Sequence, residues 1–221
     1  MYFLRKYENF DQKYERILDQ TDVDKKNSVK KHKHLKLALI GLVSLFLAFH
    51  MSSEQNVQQF GSTYFQDIEL KLTASESAEV ISAMFFANTV GLAMSVVIAY
   101  RVRTQWMIGY HLLLIFIALN ILFLTEFSRH QLYVGSLLLS FGFSAIYPSI
   151  FGYISQYIDI TDRIGTVFTI ASGSLNLFVP FLIGLYIEEF TPIFLLSISF
   201  NLAISIFVFI FLIQLINKYC N

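Results

Sequence analysis

Glu54 has the most chemistry to offer here, because it is a carboxylate set close behind a long apolar stretch. His50 and Gln58 lie four residues to either side, so the three share one face of a helix. Ser52 and Asn56 fall on a neighbouring face, and Gln59 follows directly. Further along, Asn88, Ser144, Tyr147, Ser172 and Asn176 put amides and hydroxyls into strongly apolar surroundings. Such groups hydrogen-bond a small polar solute, and a carboxylate among them takes up a cation or a proton. A charge at the centre of a membrane helix costs about 2.5–3.5 kcal/mol, so the placement of these residues is itself a functional signal. Catalysis has no comparable support. There is no phosphate-binding Gly-Lys-Ser/Thr loop, no His-Glu-x-x-His and no cysteine pair, so neither a catalytic group nor a metal site is expected. His32, Lys33 and His34 read as a solvated basic stretch, and Cys220 does not sit in a prenylation box.

The elements that must carry these residues follow from composition. The chain has 221 residues, 55 % hydrophobic and only 14 % charged, where an ordinary soluble domain has about a quarter charged. With 16 basic and 16 acidic residues and a single cysteine, it is neither a disordered polyelectrolyte nor a disulfide scaffold. Its apolar runs are about 20 residues long, the length that crosses a bilayer. The expectation is an all-α membrane protein: a charged cytoplasmic tail or linker over 1–35, then a six-helix transmembrane domain over 36–217. The helices are placed at about 35–65, 78–102, 106–125, 132–157, 164–187 and 193–216.

Orientation comes from the basic residues. Between Lys25 and Lys36 lie six lysines and no acid, next to the first apolar run. With the tail inside, Arg101, Arg103, Arg163 and Lys218 share its compartment, while Lys71 and Arg129 lie outside with Glu69, Glu76, Glu79, Glu126, Glu188 and Glu189. By the positive-inside rule both termini are cytoplasmic. The lysine cluster either acts only as this orientation signal or also attracts anionic lipid.

The first helix is the odd one. Its 31 residues would span about 46 Å, more than the bilayer core. The polar stretch from His50 therefore either lines a watery cavity or has already left the membrane. The second helix carries Asn88, Gly91 and Ser95 on one side. The fourth carries Ser136, Ser140, Ser144, Pro148, Gly152 and Gln156 in a four-residue ladder, and the fifth carries Ser172, Asn176, Pro180 and Gly184. Close packing of small residues accounts for such stripes as well as solute contact does. Pro148 and Pro180 lie inside their helices and are expected to kink them. The third helix reads as a plain, lipid-facing support, and the sixth is nearly plain, with Ser197, Asn201 and Ser205 on one face. Polar, polar, plain and then polar, polar, nearly plain suggests a 3+3 inverted repeat.

Three stretches carry a resemblance to a known family: Phe60-Gly61-Ser62-Thr63-Tyr64 with Leu72-Thr73-Ala74-Ser75 and Met84 to Gly91; Ser144-Ala145-Ile146-Tyr147-Pro148-Ser149; and Ile160-Thr161-Asp162-Arg163 through Ser172-Gly173-Ser174 to Pro180 and Gly184. Over about 36–217 the chain resembles the C-terminal six-helix half of a major facilitator superfamily transporter, most similar to the sodium-dependent glucose transporter branch. It departs from that family at Leu92, Asn176 and Val57, where the family usually carries charge, which leaves Glu54 as the carboxylate within reach of a coupling ion.

The resemblance implies transport of a small polar solute, a hexose, by alternating access, with this chain supplying one half. The substrate path would use His50, Glu54, Gln58, Gln59, Asn88, Ser144, Tyr147, Ser172 and Asn176, with symport of sodium or protons as the coupling and no other cofactor. The implied setting is the lipid bilayer of the plasma membrane, with a second six-helix half or a homodimer as partner and no nucleic acid. The alternative is a non-transporting membrane partner or an inactive truncated fragment.

Overall fold

The computed structural model describes residues 2–124 and 128–219, with side chains from residue 34 onward. The basic cluster from Lys25 to Lys33, with His32, and Thr125, Glu126 and Cys220 lie outside the described side chains. The chain divides into two compact units, Met1–Leu39 and Ile40–Asn221. Every regular element among the described residues is a helix: α1 (Tyr2–Asp67), α2 (Ala74–Ala99), α3 (Thr104–Phe123), α4 (Arg129–Phe143), α5 (Ile146–Ile154), α6 (Asp162–Ser174), a 3-10 turn (Leu175–Leu177), α7 (Val179–Tyr186) and α8 (Ile193–Tyr219). They supply six stretches long and apolar enough to cross a membrane, with α4–α5 forming one and α6–α7 another. This is the make-up of an integral multi-pass membrane protein.

The interruptions have local causes. A proline lacks the N–H that would bond the carbonyl four residues back, and its ring crowds that carbonyl. For Pro148 that carbonyl belongs to Ser144, and the break lies there: α4 stops at Phe143, Ala145 adopts φ −112° and ψ 0°, and α5 begins at Ile146. For Pro180 the carbonyl belongs to Asn176, which sits in the 3-10 turn ahead of α7. Both spans lose regular α-helix about one turn before their proline. α2 begins at Ala74, four residues ahead of the expected start, because Thr73 and Glu76 form a capping box. The Thr73 N–H donates to Glu76 Oε2 at 2.8 Å, and the Glu76 N–H donates to Thr73 Oγ1 at 3.2 Å. Glu76 also pairs with Arg129 at 2.6 Å, tying the start of α2 to the start of α4.

Small residues bring the middle of the bundle together. A Cβ on Gly91 would lie 2.5 Å from Ser144 Oγ, so the Ser144 side chain at the end of α4 packs directly on the α2 backbone there. A Cβ on Gly142 would lie 2.7 Å from Ile115 Cγ1 and 3.1 Å from the Ile115 backbone nitrogen, on α3. Aromatic rings join α1 to α8, with Phe46 6.1 Å from Phe209 and Tyr64 4.6 Å from Phe194. The third span is more than a plain support. Its outer face exposes Trp106, Leu113 and Phe116, but Ile108, His111 and Ile115 are buried.

Candidate functional site

The polar residues expected along α1 separate into distinct environments. Glu54 is half-buried and lines one cavity with the Asn88 side chain of α2. Asn88 Nδ2 reaches the backbone carbonyl of Ser140 on α4, at 3.4 Å. Ser140 Oγ in turn donates to the Met84 carbonyl at 2.7 Å. Glu54, Gln58, Asn88 and Ser140 line one small cavity, closed by Val57, Met84 and Phe143 among others. Its volume of about 20 Å³ is enough for one water, which needs about 10–15 Å³. It is far below the roughly 300 Å³ at which small-molecule pockets begin. By itself this space is the size of an ion or a water, with a carboxylate, two amides and a serine around it.

The remaining candidates stand elsewhere. His50 is buried, its ring stacked on Phe46 at 5.9 Å and tilted against Phe143 at 5.5 Å, so it sits among aromatic rings and does not line the cavity. Gln59 is exposed and is not part of the lining. Ser144 Oγ donates to its own helix at the Phe141 carbonyl, 2.7 Å away, and faces Gly91, which makes it a packing contact. Tyr147 is half-buried with its ring 5.0 Å from Phe151. Ser172 donates to the Thr169 carbonyl, and the buried Asn176 Oδ1 has no protein partner.

A second polar cluster was not legible as a site. His111 is buried in α3, with Nδ1 3.0 Å from the Gly142 carbonyl and Nε2 3.0 Å from Ser95 Oγ. A carbonyl only accepts, so Nδ1 carries the proton, and in the neutral ring Nε2 accepts from the Ser95 hydroxyl. One ring thus joins α2, α3 and the end of α4, where the break ahead of Pro148 interrupts the regular helix. The only hint in the sequence is a histidine within an apolar run. Ser140 showed only as one rung of a small-residue ladder.

Comparison with protein families, with curated proteins and with solved structures returned no match for this chain. The functional reading rests on the chemistry of the chain itself. Among the described residues no group of three His, Cys, Asp or Glu side chains gathers to hold a metal ion.

Proposed function

We propose that this chain supplies one six-helix half, built as a 3+3 inverted repeat of major facilitator type, of a membrane transporter for a small polar solute of the hexose class. The observation that carries the reading is Glu54, a carboxylate within an apolar span that lines an ion-sized cavity together with an amide of the next helix. Ionisable groups inside membranes are costly and mark ion paths and proton relays. In this reading Glu54 takes the coupling sodium ion or proton. The solute sits beyond it, against the open side to which Gln58 is exposed. Two spans broken at Ser144–Ala145 and Leu175–Leu177 add support, because discontinuous helices recur at transporter sites.

The second half is supplied by another segment or another copy. It would dock on α2 and α6–α7, which bury only 17 % and 11 % of their most apolar windows, against 39 % or more for the other four spans. Both termini are assigned to the cytoplasm on the positive-inside count, with the plasma membrane as the site of action.

The test is uptake of labelled glucose by the complete complex in proteoliposomes, under an imposed sodium or proton gradient. Glu54→Gln is expected to lower gradient-driven uptake at least tenfold, and Asn176→Ala to lower it less. Unchanged uptake in both variants removes the site assignment. One observation favours a second reading, a membrane partner that transports nothing. The exposed hydroxyls of Thr89, Thr169 and Ser174 all donate to carbonyls of their own helices, so they need neither water nor solute. Rapid labelling of Asn88→Cys by a membrane-impermeant thiol reagent would exclude that reading.

A further inference from the structure

A second polar cavity lies well apart in the fold, where α3 begins and α5 and α8 end. Arg103, Thr104 and Gln105 line it from the start of α3, Gln156 and Tyr157 from just beyond α5, and Asn217 from near the end of α8. Its volume is about 410 Å³, in the range of small-molecule sites. No aspartate or glutamate lines it, and Arg103 has no ion-pair partner among the described residues. Gln156 Nε2 donates to the Gly152 carbonyl at 3.1 Å and approaches Thr104 Oγ1 at 3.5 Å, which brings the segment after α5 beside the α3 start at the open edge of the cavity.

One unpaired guanidinium, several neutral donors and no carboxylate select an anion, and a guanidinium fork matches phosphate oxygens in geometry. The level of the cavity selects its source. Trp106 and Tyr219, at the ends of α3 and α8 that line the cavity, are exposed, as is Tyr100 just ahead of α3. Such rings gather at the membrane–water boundary. Basic pockets between membrane helices at that depth bind lipid head groups.

We propose that this cavity binds the phosphate of an anionic phospholipid head group, with Arg103 as the charged contact and Gln156 and Thr104 as neutral ones. The site is independent of Glu54 and of the transport reading.

Native mass spectrometry of the purified full chain with phosphatidylglycerol or phosphatidylcholine tests it. The wild type is expected to retain phosphatidylglycerol about tenfold better, in line with a charge-assisted hydrogen bond. Arg103→Gln lowers that preference severalfold. Arg163→Gln, which removes a charge outside the cavity, keeps the preference. The lysines of the tail attract anionic lipid in every variant alike, so the Arg103-dependent part is the readout. Gln156→Leu keeps the charge, lowers retention severalfold and serves as the second variant should Arg103→Gln not fold. Equal retention in the wild type overturns the proposal, and so does a preference undiminished in both cavity variants. Displacement of the lipid by millimolar inorganic phosphate overturns the assignment to a lipid source.

Discussion

At the scale of single residues, the difference between Glu54 and His50 shows how environment assigns roles. Both fall on the same predicted face of α1. A one-turn rise carries that face from the aromatic rings of Phe46 and Phe143 to the amide of Asn88. Spacing alone puts the two side by side, and only the neighbouring helices distinguish them. His111 is the clearest structural residue. Replacing it with leucine leaves the Ser95 hydroxyl without its acceptor and the Gly142 carbonyl without its donor. Each unpartnered buried group costs about 1–3 kcal/mol. His111→Leu is therefore expected to lower the thermal unfolding midpoint in detergent clearly, and Ser95→Ala to lower it by less. A midpoint for His111→Leu equal to the wild type would show that the ring contributes packing only.

At the scale of elements, the two broken spans were readable and the helix contacts were not. Proline acts on the carbonyl four residues before it, so Pro148 and Pro180 locate the breaks at Ser144 and Asn176 without any tertiary information. The small-residue ladder of the fourth span, by contrast, left packing and solute contact open. The structure resolves two of its rungs, Ser144 against Gly91 and Ser140 bonded to α2, while Gly142, off the ladder, is pressed on α3. Glycine substitutions separate these contacts. Gly142→Ala must displace the backbone of Ile115 and is expected to destabilise the fold by about 1–3 kcal/mol. A Cβ on Gly109 meets nothing within 4 Å, so Gly109→Ala is expected to stabilise α3 by about 0.5–1 kcal/mol. Thermal unfolding of the two variants side by side measures the contrast, and equal shifts would refute the close approach of α3 and α4.

At the scale of the whole molecule, the six spans divide into four that bury much of their surface and two, α2 and α6–α7, that bury little. Lipid covers an apolar helix as readily as protein does, so exposure alone names no partner. The proposed second half makes the distinction measurable. In a background with Cys220 replaced, a cysteine at Phe86 on α2 or Phe178 ahead of α7 is expected to cross-link to the other half in native membranes. A cysteine at Phe116 on α3 or Phe207 on α8, both also exposed, is expected not to. Uniform cross-linking at all four positions, or none at any, would count against a second half docked on α2 and α6–α7.

The number of spans and the places where two of them break follow from the sequence alone. Hydropathy over about 20 residues and the missing N–H of a proline are local properties. Which residues share a helix face is local too, because 3.6 residues make a turn whatever surrounds the helix. What that face meets is decided by the rotation and depth of each helix against its neighbours. Asn88 beside Glu54, and Gly142 beside His111, come from different spans and exist as pairs only once those spans are packed. Those pairs decide which polar groups surround an ion-sized cavity and which are already satisfied, and a one-dimensional pattern holds no record of them.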